Sequence, residues 1–299
     1  MAPPTLATSL VPNPTRRIVG GREIGHLNQH RCIESWRASG FQVLSVNAAD
    51  EAEAVRAAYP DVPIIAAERD ARSVCGRPVI PVSEMIRALQ TAGVTWGGIT
   101  SADLRVADPT SLRSIADEAL EAGRAVLLSR ANIAHPCDDA GSLDPNGPAA
   151  VLFDVGLAAR LNIEPFAVGL PGWGRALAIA LLVANSQAIC PAGAALLHLD
   201  HPRLAGEDLD WSFFEAFRTR FSSELELLKS KDDVDVSASL AAVADLGRHA
   251  RTYADLATRR ADRCGTDESA RRHMGAFAAA VADLIRDLAT PRPEIVRRA

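Results

Sequence analysis

Short apolar runs alternate with amphipathic segments along the first two thirds of the chain. Runs rich in β-branched and other apolar residues predict strands over Arg17–Gly21, Phe41–Asn47, Val62–Ala67, Trp96–Asp103, Ala125–Ser129, Ala149–Leu157 and Ala194–Leu199. Apolar positions at helical spacing predict helices over Asn28–Ser39, Asp50–Tyr59 with Asp50 as its N-cap, Ser83–Ala92, Ser111–Glu121 and Ala176–Ser186. This alternation predicts an α/β fold with a mostly parallel sheet and helices on both faces.

The two ends of the chain follow other patterns. Residues 1–15 are rich in Pro and Thr, and we expect them to be flexible. After Trp211 the pattern is helical throughout, which predicts helices over Phe213–Lys229, about Ser237–Asp262, and Asp267–Leu288. We therefore expect a main domain over residues 16–212 and a helical region over 213–299, which packs on the main domain or on a second subunit.

Composition narrows the class of protein. The 299 residues are 48% hydrophobic, which is enough for a sizeable core, and the net charge of −5 argues against a broad nucleic-acid-binding face. No secretory signal is visible, and no apolar run reaches the roughly 20 residues that span a bilayer. Five cysteines without a CxxC pair indicate reduced thiols in a cytoplasmic protein: Cys32, Cys75, Cys137, Cys190 and Cys264.

Several common active-site motifs are absent from the sequence. It contains no GxGxxG dinucleotide fingerprint, no GxxxxGK[ST] phosphate loop and no GxSxG nucleophile elbow. Dehydrogenases that bind NAD, P-loop kinases and α/β-hydrolases are therefore disfavoured.

The run from Trp96 to Leu104 is the first candidate for chemistry. It passes from apolar residues into a polar tip, with Asp103 two residues after Ser101. A buried parallel strand delivers such a carboxylate to the edge of the sheet where open α/β folds bind ligands. Asp103 would hold a divalent cation that bridges a nucleotide diphosphate. A capping or turn role for this Asp is equally compatible with the spacing.

Histidines and acids near the end of the main domain form the second candidate. In an extended His198-Leu199-Asp200-His201 segment, His198 and Asp200 point to one side and His201 to the other. If His198 faces Asp103, the imidazole and carboxylate would form a site suited to manganese. The alternative is a structural histidine at the end of a strand.

Two further residues carry open alternatives. Asp154 follows an apolar strand, where a carboxylate is costly unless it is paired or lies at a cleft. It is therefore either functional or hydrogen-bonded within the structure. Trp173 stands between two glycines before a helix, so it either stacks on a sugar face or anchors the core.

Together these segments resemble the GT-A type of nucleotide-sugar glycosyltransferase, in a bacterial group, over roughly residues 17–215. The order and spacing of the pieces are the specific part of this resemblance. The pieces are Cys32–Trp36, Gly40–Asn47, Gly98–Asp103, Phe153–Asp154, Pro171–Trp173 and His198–Pro202.

The resemblance implies a Rossmann-like GT-A sheet with a helical extension, a nucleotide-sugar donor and a divalent cation, Mn or Mg. The nucleotide would lie over the first strands and near Asn47. We expect Arg69, Ser101 and Trp173 to contribute to the same pocket, and Arg72 and Arg77 either to clamp phosphate or to lie on the solvated surface. Asp103 would stand at the last acid of the DxD metal motif, and His198 would complete the metal site.

The sequence departs from that family pattern at two places. Ser101 replaces the first acid of DxD, and Gly172–Arg175 replaces an aromatic and acidic cluster. Transfer with inversion needs a base near the acceptor hydroxyl, so Asp154 or Asp200 would have to supply it.

Three functions compete on this evidence. The leading one is transfer of a sugar from a nucleotide-sugar to a glycan or another acceptor. A degenerate binding or scaffold protein on the same fold is the second. A nucleotidyltransferase is the third, disfavoured by the absence of a Gly-rich, basic phosphate loop near the N-terminus. We also expect a possible homodimer through the C-terminal helices.

Overall fold

A computed structural model describes residues 3–14, 18–19, 21–144, 147–184, 187–200, 212, 216–217, 219–221 and 268–292. The helix predicted over Ser237–Asp262 lies outside the described residues, and the helix predicted over Phe213–Lys229 lies largely outside them. In the described part, no helix is long and apolar enough to cross a membrane.

Strands and helices alternate as the sequence pattern predicts. The strands are β1 (Thr5–Thr8), β2 (Ile18–Val19), β3 (Arg22–Glu23), β4 (Gln42–Asn47), β5 (Ile64–Ala66), β6 (Trp96–Thr100), β7 (Leu104–Val106), β8 (Ala125–Leu128), β9 (Arg130–Ile133), β10 (Ser142–Leu143), β11 (Ala150–Asp154), β12 (Ala188–Pro191), β13 (Leu196–Leu199) and β14 (Thr290–Arg292). The helices are α1 (Gly25–Ala38), α2 (Ala52–Ala58), α3 (Arg72–Cys75), α4 (Val82–Thr91), α5 (Pro109–Glu121), α6 (Val155–Ala158), α7 (Trp173–Val183) and α8 (Glu268–Leu288).

Within the described residues, the main sheet has eight strands in the order β14-β12-β8-β11-β6-β1-β4-β5. Strands β6, β1, β4 and β5 pair in parallel, and so do β8, β12 and β14. Strand β11 runs antiparallel to both β6 and β8. The prediction of a mostly parallel sheet is confirmed, and the one reversed strand decides which predicted site residues can meet.

Helices cover both faces of this sheet, because both faces of its central strands are apolar. Leu6 of β1 packs with Ile33 and Trp36 of α1 and with Leu112 of α5. The next residue, Ala7, points to the other face and joins the core that contains α4 and α7. Strands buried on both sides have continuous apolar sequences, which is why periodicity locates them well.

A second sheet lies beyond the carboxyl-terminal edge of the first, in the order β10-β9-β13-β7. Strand β7 begins directly after Asp103 and pairs antiparallel with β13, so that Leu104 lies opposite His198. Strand β13 also pairs in parallel with β9, which places His198 beside Asn132. In this small sheet, β13, near the end of the predicted main domain, therefore lies next to the residues that follow β6.

The prediction of a flexible segment over residues 1–15 is wrong. Thr5–Thr8 is the strand between β6 and β4 near the middle of the main sheet, and all its residues are buried. Ile18–Val19, predicted within the first strand, pairs instead with β3 in a separate hairpin. Two threonines and flanking prolines give β1 a polar, loop-like sequence, although parallel pairing on both sides buries it.

The C-terminal segment joins the main core. Helix α8 confirms the helix predicted over Asp267–Leu288, and Phe277, Val281 and Leu284 of this helix belong to the same buried cluster as α7. The chain then adds β14 in parallel to β12 at the edge of the sheet. The expectation that everything after Trp211 is helical is therefore wrong for Thr290–Arg292. The domain boundary at residue 212 and the homodimer stay predictions.

Strand β6 lies very close to its two neighbouring strands at Gly97 and Gly98. A Cβ atom added at Gly97 would lie 2.3 Å from the backbone oxygen of Thr5 on β1. At Gly98 it would lie 2.5 Å from the backbone oxygen of Val151 on β11. The glycine pair is therefore needed for packing, whatever chemistry takes place at the end of β6.

Candidate functional site

The carboxyl-terminal edge of the main sheet collects several of the predicted residues. Strands β1, β4, β5 and β6 are parallel, so they all end at this edge. The strand predicted to end at Asp103 ends at Thr100. Ser101 follows the strand, and Ala102 and Asp103 form a turn between the main sheet and β7.

Asp103 and His198 lie side by side at this edge. His198 Nε2 is 3.3 Å from Asp103 Oδ2, with the His198 side chain 8% exposed and that of Asp103 24% exposed. His198 Nδ1 lies 3.0 Å from Asn132 Oδ1 on β9. Because an amide oxygen only accepts, a hydrogen bond between these two atoms requires the proton on Nδ1. Nε2 is the ring atom that faces the carboxylate of Asp103.

The residues present fit a divalent cation in part. Imidazole and carboxylate together suit manganese, and a ligating histidine characteristically donates its other ring N–H to a carbonyl-type oxygen, as His198 does to Asn132. No group of three His, Cys, Asp or Glu side chains that could hold a metal occurs among the residues described. A cation here would therefore need oxygen ligands from a substrate, such as a diphosphate. Ser101 supplies no carboxylate.

Asp200 lies at the same edge as His198. It follows β13 directly, its side chain is exposed, and its backbone N–H donates to the Ile133 oxygen at 2.8 Å. His201, which follows it, lies outside the described residues.

Asp154 lies at the opposite edge of the sheet, which corrects its predicted place in the site. Strand β11 is antiparallel to β6, so Asp154 pairs with Trp96 at the start of β6. Four residues of strand, about 13 Å, separate that level from Thr100. Asp154 Oδ1 accepts a hydrogen bond from the Leu157 N–H at 2.6 Å and caps α6. Asp154 therefore cannot act on a ligand held by Asp103.

Asn47, predicted to line the nucleotide pocket, instead holds the backbone of a neighbouring segment with its side chain. Asn47 is 1% exposed. Its Nδ2 donates to the Leu10 oxygen at 2.7 Å, and its Oδ1 accepts from Ser45 Oγ at 2.7 Å. Ser45 Oγ in turn accepts from the Leu10 N–H at 2.9 Å. Asn47 therefore positions the segment after β1 rather than presenting its amide to a ligand.

The arginines predicted to contact nucleotide or phosphate are engaged by carboxylates. Arg69 pairs with Glu84 at 3.0 Å and also with Glu164. Arg72 pairs with Asp50 at 2.7 Å and with Asp70 at 2.6 Å. Asp50 therefore binds Arg72 and does not cap α2, whose N-terminus has no side-chain cap. No hydrogen bond or ion pair of the Arg77 side chain is seen within the described part of the chain.

Glu84 organises the Arg69 network from the first turn of α4. Its side chain is 3% exposed and accepts from Arg69, from Arg87 and from the Glu68 N–H. Burial raises the pKa of Glu84, but the hydrogen bonds from Arg87 and Arg69 outweigh it and hold the pKa below the ordinary 4.5. The carboxylate is therefore the stable form in the folded protein.

We expect Glu84→Gln to lower the free energy of unfolding at pH 7 by about 2 kcal/mol, because charge-assisted hydrogen bonds are lost. The folded pKa lies below 4.5, so the unfolded chain takes up a proton first as the pH falls. The difference between wild type and variant should be complete above pH 4.5 and shrink below it. Denaturant titrations across this range measure it, with exposed Glu121→Gln as control. A constant difference at every pH below 4.5 would contradict this assignment.

Trp173 is an anchor of the core and not a platform for a sugar. It is 7% exposed and packs in the large cluster of the α4 and α7 face. The neighbouring Gly174 has a packing reason of its own, because a Cβ atom there would lie 2.1 Å from the Pro148 oxygen. An acidic side chain cannot be accommodated at that position in this backbone arrangement.

Thr8, at the end of β1, carries a buried hydroxyl that sequence reasoning missed. It is 3% exposed, and its Oγ1 has no hydrogen-bond partner among the described residues. It lines a small internal space, which is also lined by Trp36 and by the residues Thr100–Ala102 at the end of β6. A buried unpaired hydroxyl destabilises a fold, and a valine has nearly the same shape.

We expect Thr8→Val to raise the free energy of unfolding by about 1 kcal/mol, since the unpaired hydroxyl is removed without leaving a cavity. Thermal and denaturant unfolding measure the change. Thr8→Ala, which also removes volume, should instead destabilise the protein. Destabilisation by Thr8→Val would show that the hydroxyl has a partner in solution, such as a buried water.

The mixed, mostly parallel sheet with a small second sheet at its carboxyl-terminal edge is a GT-A-like fold, as the sequence resemblance predicts. TarS 1-349 from S. aureus, solved in complex with UDP-GlcNAc, matches over 95% of this chain and 83% of that chain, with a TM-score of 0.51 and 13% identity. At this identity the likeness concerns the fold.

Two other similar structures match less well. The inositol-1-phosphate CTP transferase from T. maritima matches over 72% of this chain and 95% of its own, with a TM-score of 0.42 and 10% identity. For the mannose-1-phosphate geranyltransferase from Thermus thermophilus, the TM-score is 0.33 and the identity 13%, over 52% of this chain. The chain spans 58% of the length of that protein. No protein-family model and no curated protein sequence matches this chain.

Proposed function

We propose that this protein binds a nucleotide-sugar at the carboxyl-terminal edge of its main sheet, with help from a divalent cation, and transfers the sugar to an acceptor. The observation that carries the proposal is the convergence of Asp103 and His198 at 3.3 Å. The two residues come from distant parts of the chain and meet where open α/β folds bind ligands. The similarity of the fold to TarS, whose structure contains UDP-GlcNAc, supports this class of donor.

In the proposed mechanism, Asp103 and His198 are the residues that would hold a divalent cation for the donor diphosphate. The cation would neutralise the charge that develops on the leaving diphosphate. Asn132 orients His198 through Nδ1. Asn47 and Ser45 fix Leu10, so the segment after β1 keeps its shape when the donor binds. Pre-formed positions of this kind lower the cost of ordering a site on binding.

We propose Asp200 as the general base that removes the proton from the acceptor hydroxyl. Its exposed carboxyl lies at the same edge as His198, whereas Asp154 lies at the opposite edge. A general base must come within hydrogen-bond reach of the proton that it removes. The acceptor hydroxyl would therefore approach along the end of β13.

Calorimetric titration tests the donor proposal. UDP, GDP and CMP are each titrated into the protein with and without Mn²⁺. We expect one of the nucleotides to bind, with an affinity at least about tenfold higher when the cation is present. If none of the three binds under either condition, the proposed function is wrong.

A binding protein without transferase activity is the second candidate. Two observations favour it. Asp154 lies at the opposite edge of the sheet, so it cannot serve as the base, and Gly174 lies so close to Pro148 that position 174 has no room for an acidic side chain. Slow release of free nucleotide from a donor sugar distinguishes the two candidates. We expect release by wild type and much slower release by Asp200→Asn. Nucleotide binding without release would favour the binding protein.

A further inference from the structure

Arg130 forms a buried ion pair beside the proposed donor site. Its Nε donates to Asp144 Oδ2 at 2.8 Å, and its Nη2 lies 2.7 Å from the same oxygen. The Asp144 side chain is 6% exposed and the Arg130 side chain 30% exposed. The guanidinium is therefore held on one side by a buried carboxylate and reaches solvent on the other.

The strand register places Arg130 close to the Asp103–His198 pair. Strand β9 begins just after β8, which runs in the same direction as β6, so Arg130 lies at the carboxyl-terminal edge. Arg130 and Asn132 are two residues apart on β9 and share one face of the strand. Asn132 is the residue that orients His198. One strand repeat of about 7 Å thus separates the arginine from the histidine's partner.

Arg130 differs from the arginines that the sequence predicts near nucleotide and phosphate. Arg69 and Arg72 each pair with two carboxylates. Among the described residues Arg130 pairs with Asp144 alone, and its Nη1 donors make no hydrogen bond there. The segment that carries Asp144 is already tied to β9 by the Asp144 N–H, which donates to the Arg130 oxygen at 2.9 Å.

We propose that Arg130, oriented by Asp144, binds an anionic oxygen group of a substrate, a phosphate or a carboxylate, next to the Asp103–His198 pair. A planar guanidinium held on one side offers its remaining N–H groups in a fixed direction, which suits such groups. The identity of the substrate rests on the proposed function, but the existence of the site does not.

The anion has two possible sources that share this chemistry. It is either the diphosphate of the donor or an acidic group on the acceptor. In the first case Arg130 acts on the same diphosphate that the cation binds. In the second case the site remains accessible when a nucleotide diphosphate is bound, and the acceptor is itself anionic.

Titration of inorganic pyrophosphate and inorganic phosphate, without nucleotide or metal, tests the proposal. The variants are Arg130→Met, which removes the charge, and Arg130→Lys, which keeps the charge but loses the planar group. Arg113→Met is the matched control, because Arg113 is an exposed arginine paired with Asp117 on α5. We expect Arg130→Met to weaken binding of pyrophosphate about tenfold or more, Arg130→Lys to weaken it less, and Arg113→Met to leave it unchanged.

The same titration in the presence of saturating UDP and Mn²⁺ identifies the source. Phosphate that still binds in an Arg130-dependent way indicates an anionic acceptor, whereas phosphate displaced by UDP indicates the donor diphosphate.

Equal affinity of wild type and Arg130→Met for pyrophosphate, or no binding by wild type, overturns the proposal. If Arg130→Met does not fold, judged by its unfolding transition, Arg130→Lys against Arg113→Lys decides the question. Arg130-dependent binding of pyrophosphate without binding of any nucleotide would contradict the proposed function and leave the anion site standing.

Discussion

Asp103→Ala should abolish the manganese-dependent part of nucleotide binding, with a loss in affinity of about a hundredfold or more. Asp103 and His198 are the two side chains that converge on the proposed cation position in the described part of the chain, and no third His, Cys, Asp or Glu there completes a group with them. His198→Ala should have the same effect, since it removes the other side chain. Asn132→Leu should weaken binding less, about tenfold, because it removes the partner that orients His198 and not a ligand.

Calorimetry with the nucleotide that wild type binds, with and without Mn²⁺, measures these effects. Asp154→Asn is the matched control, because it removes an acid at the opposite edge and Asn also caps helices well. It should bind nucleotide as wild type does. Full manganese dependence in Asp103→Ala would contradict the assignment of Asp103.

Gly97→Ala should destabilise the fold by about 3 kcal/mol, the upper end of the usual cost of overpacking. The added Cβ atom would lie 2.3 Å from the Thr5 oxygen, and backbone in the middle of a sheet cannot move aside cheaply. The expected result is a large fall in the denaturant midpoint, with the fold lost in the extreme case.

Gly275→Ala on α8 is the control for this substitution. Nothing lies within 4 Å of a Cβ atom there, so alanine should be neutral or stabilise the helix by up to about 1 kcal/mol. An unchanged midpoint for Gly97→Ala would show that β1 and β6 are not packed as described. The glycines of β6 would then need another explanation.

The strand and helix order of the main domain is predictable from the sequence, because strands buried on both faces and amphipathic helices have strong patterns. Strand β1 is not, since Thr5–Thr8 is short and half polar and is buried only by pairing on both sides. Nor are β9 and β14, which are only four and three residues long, so their patterns do not stand out from the surrounding sequence. Such strands are defined by their neighbours in space rather than by their own sequence.

The same distinction explains the outcome for the site residues. A resemblance places Asp103 and His198 together, and the two side chains lie 3.3 Å apart. Asp154 is predicted beside them because the direction of a strand cannot be read from its residues, and β11 is reversed. Asn47 lies at the predicted edge, but its partner Leu10 belongs to the missed strand region. Asn132 and Arg130 have no signal in one sequence, because their importance comes from the pairing of β9 with β13.

A crystal structure of the protein with Mn²⁺ and the nucleotide selected by titration is the most direct test of the proposed cation site at Asp103 and His198, through the anomalous signal of manganese. We expect one manganese ion bound to Asp103 Oδ2 and His198 Nε2, with diphosphate oxygens as its other ligands. A nucleotide bound at this edge with manganese elsewhere, or with the direct contact between Asp103 and His198 intact, would contradict it.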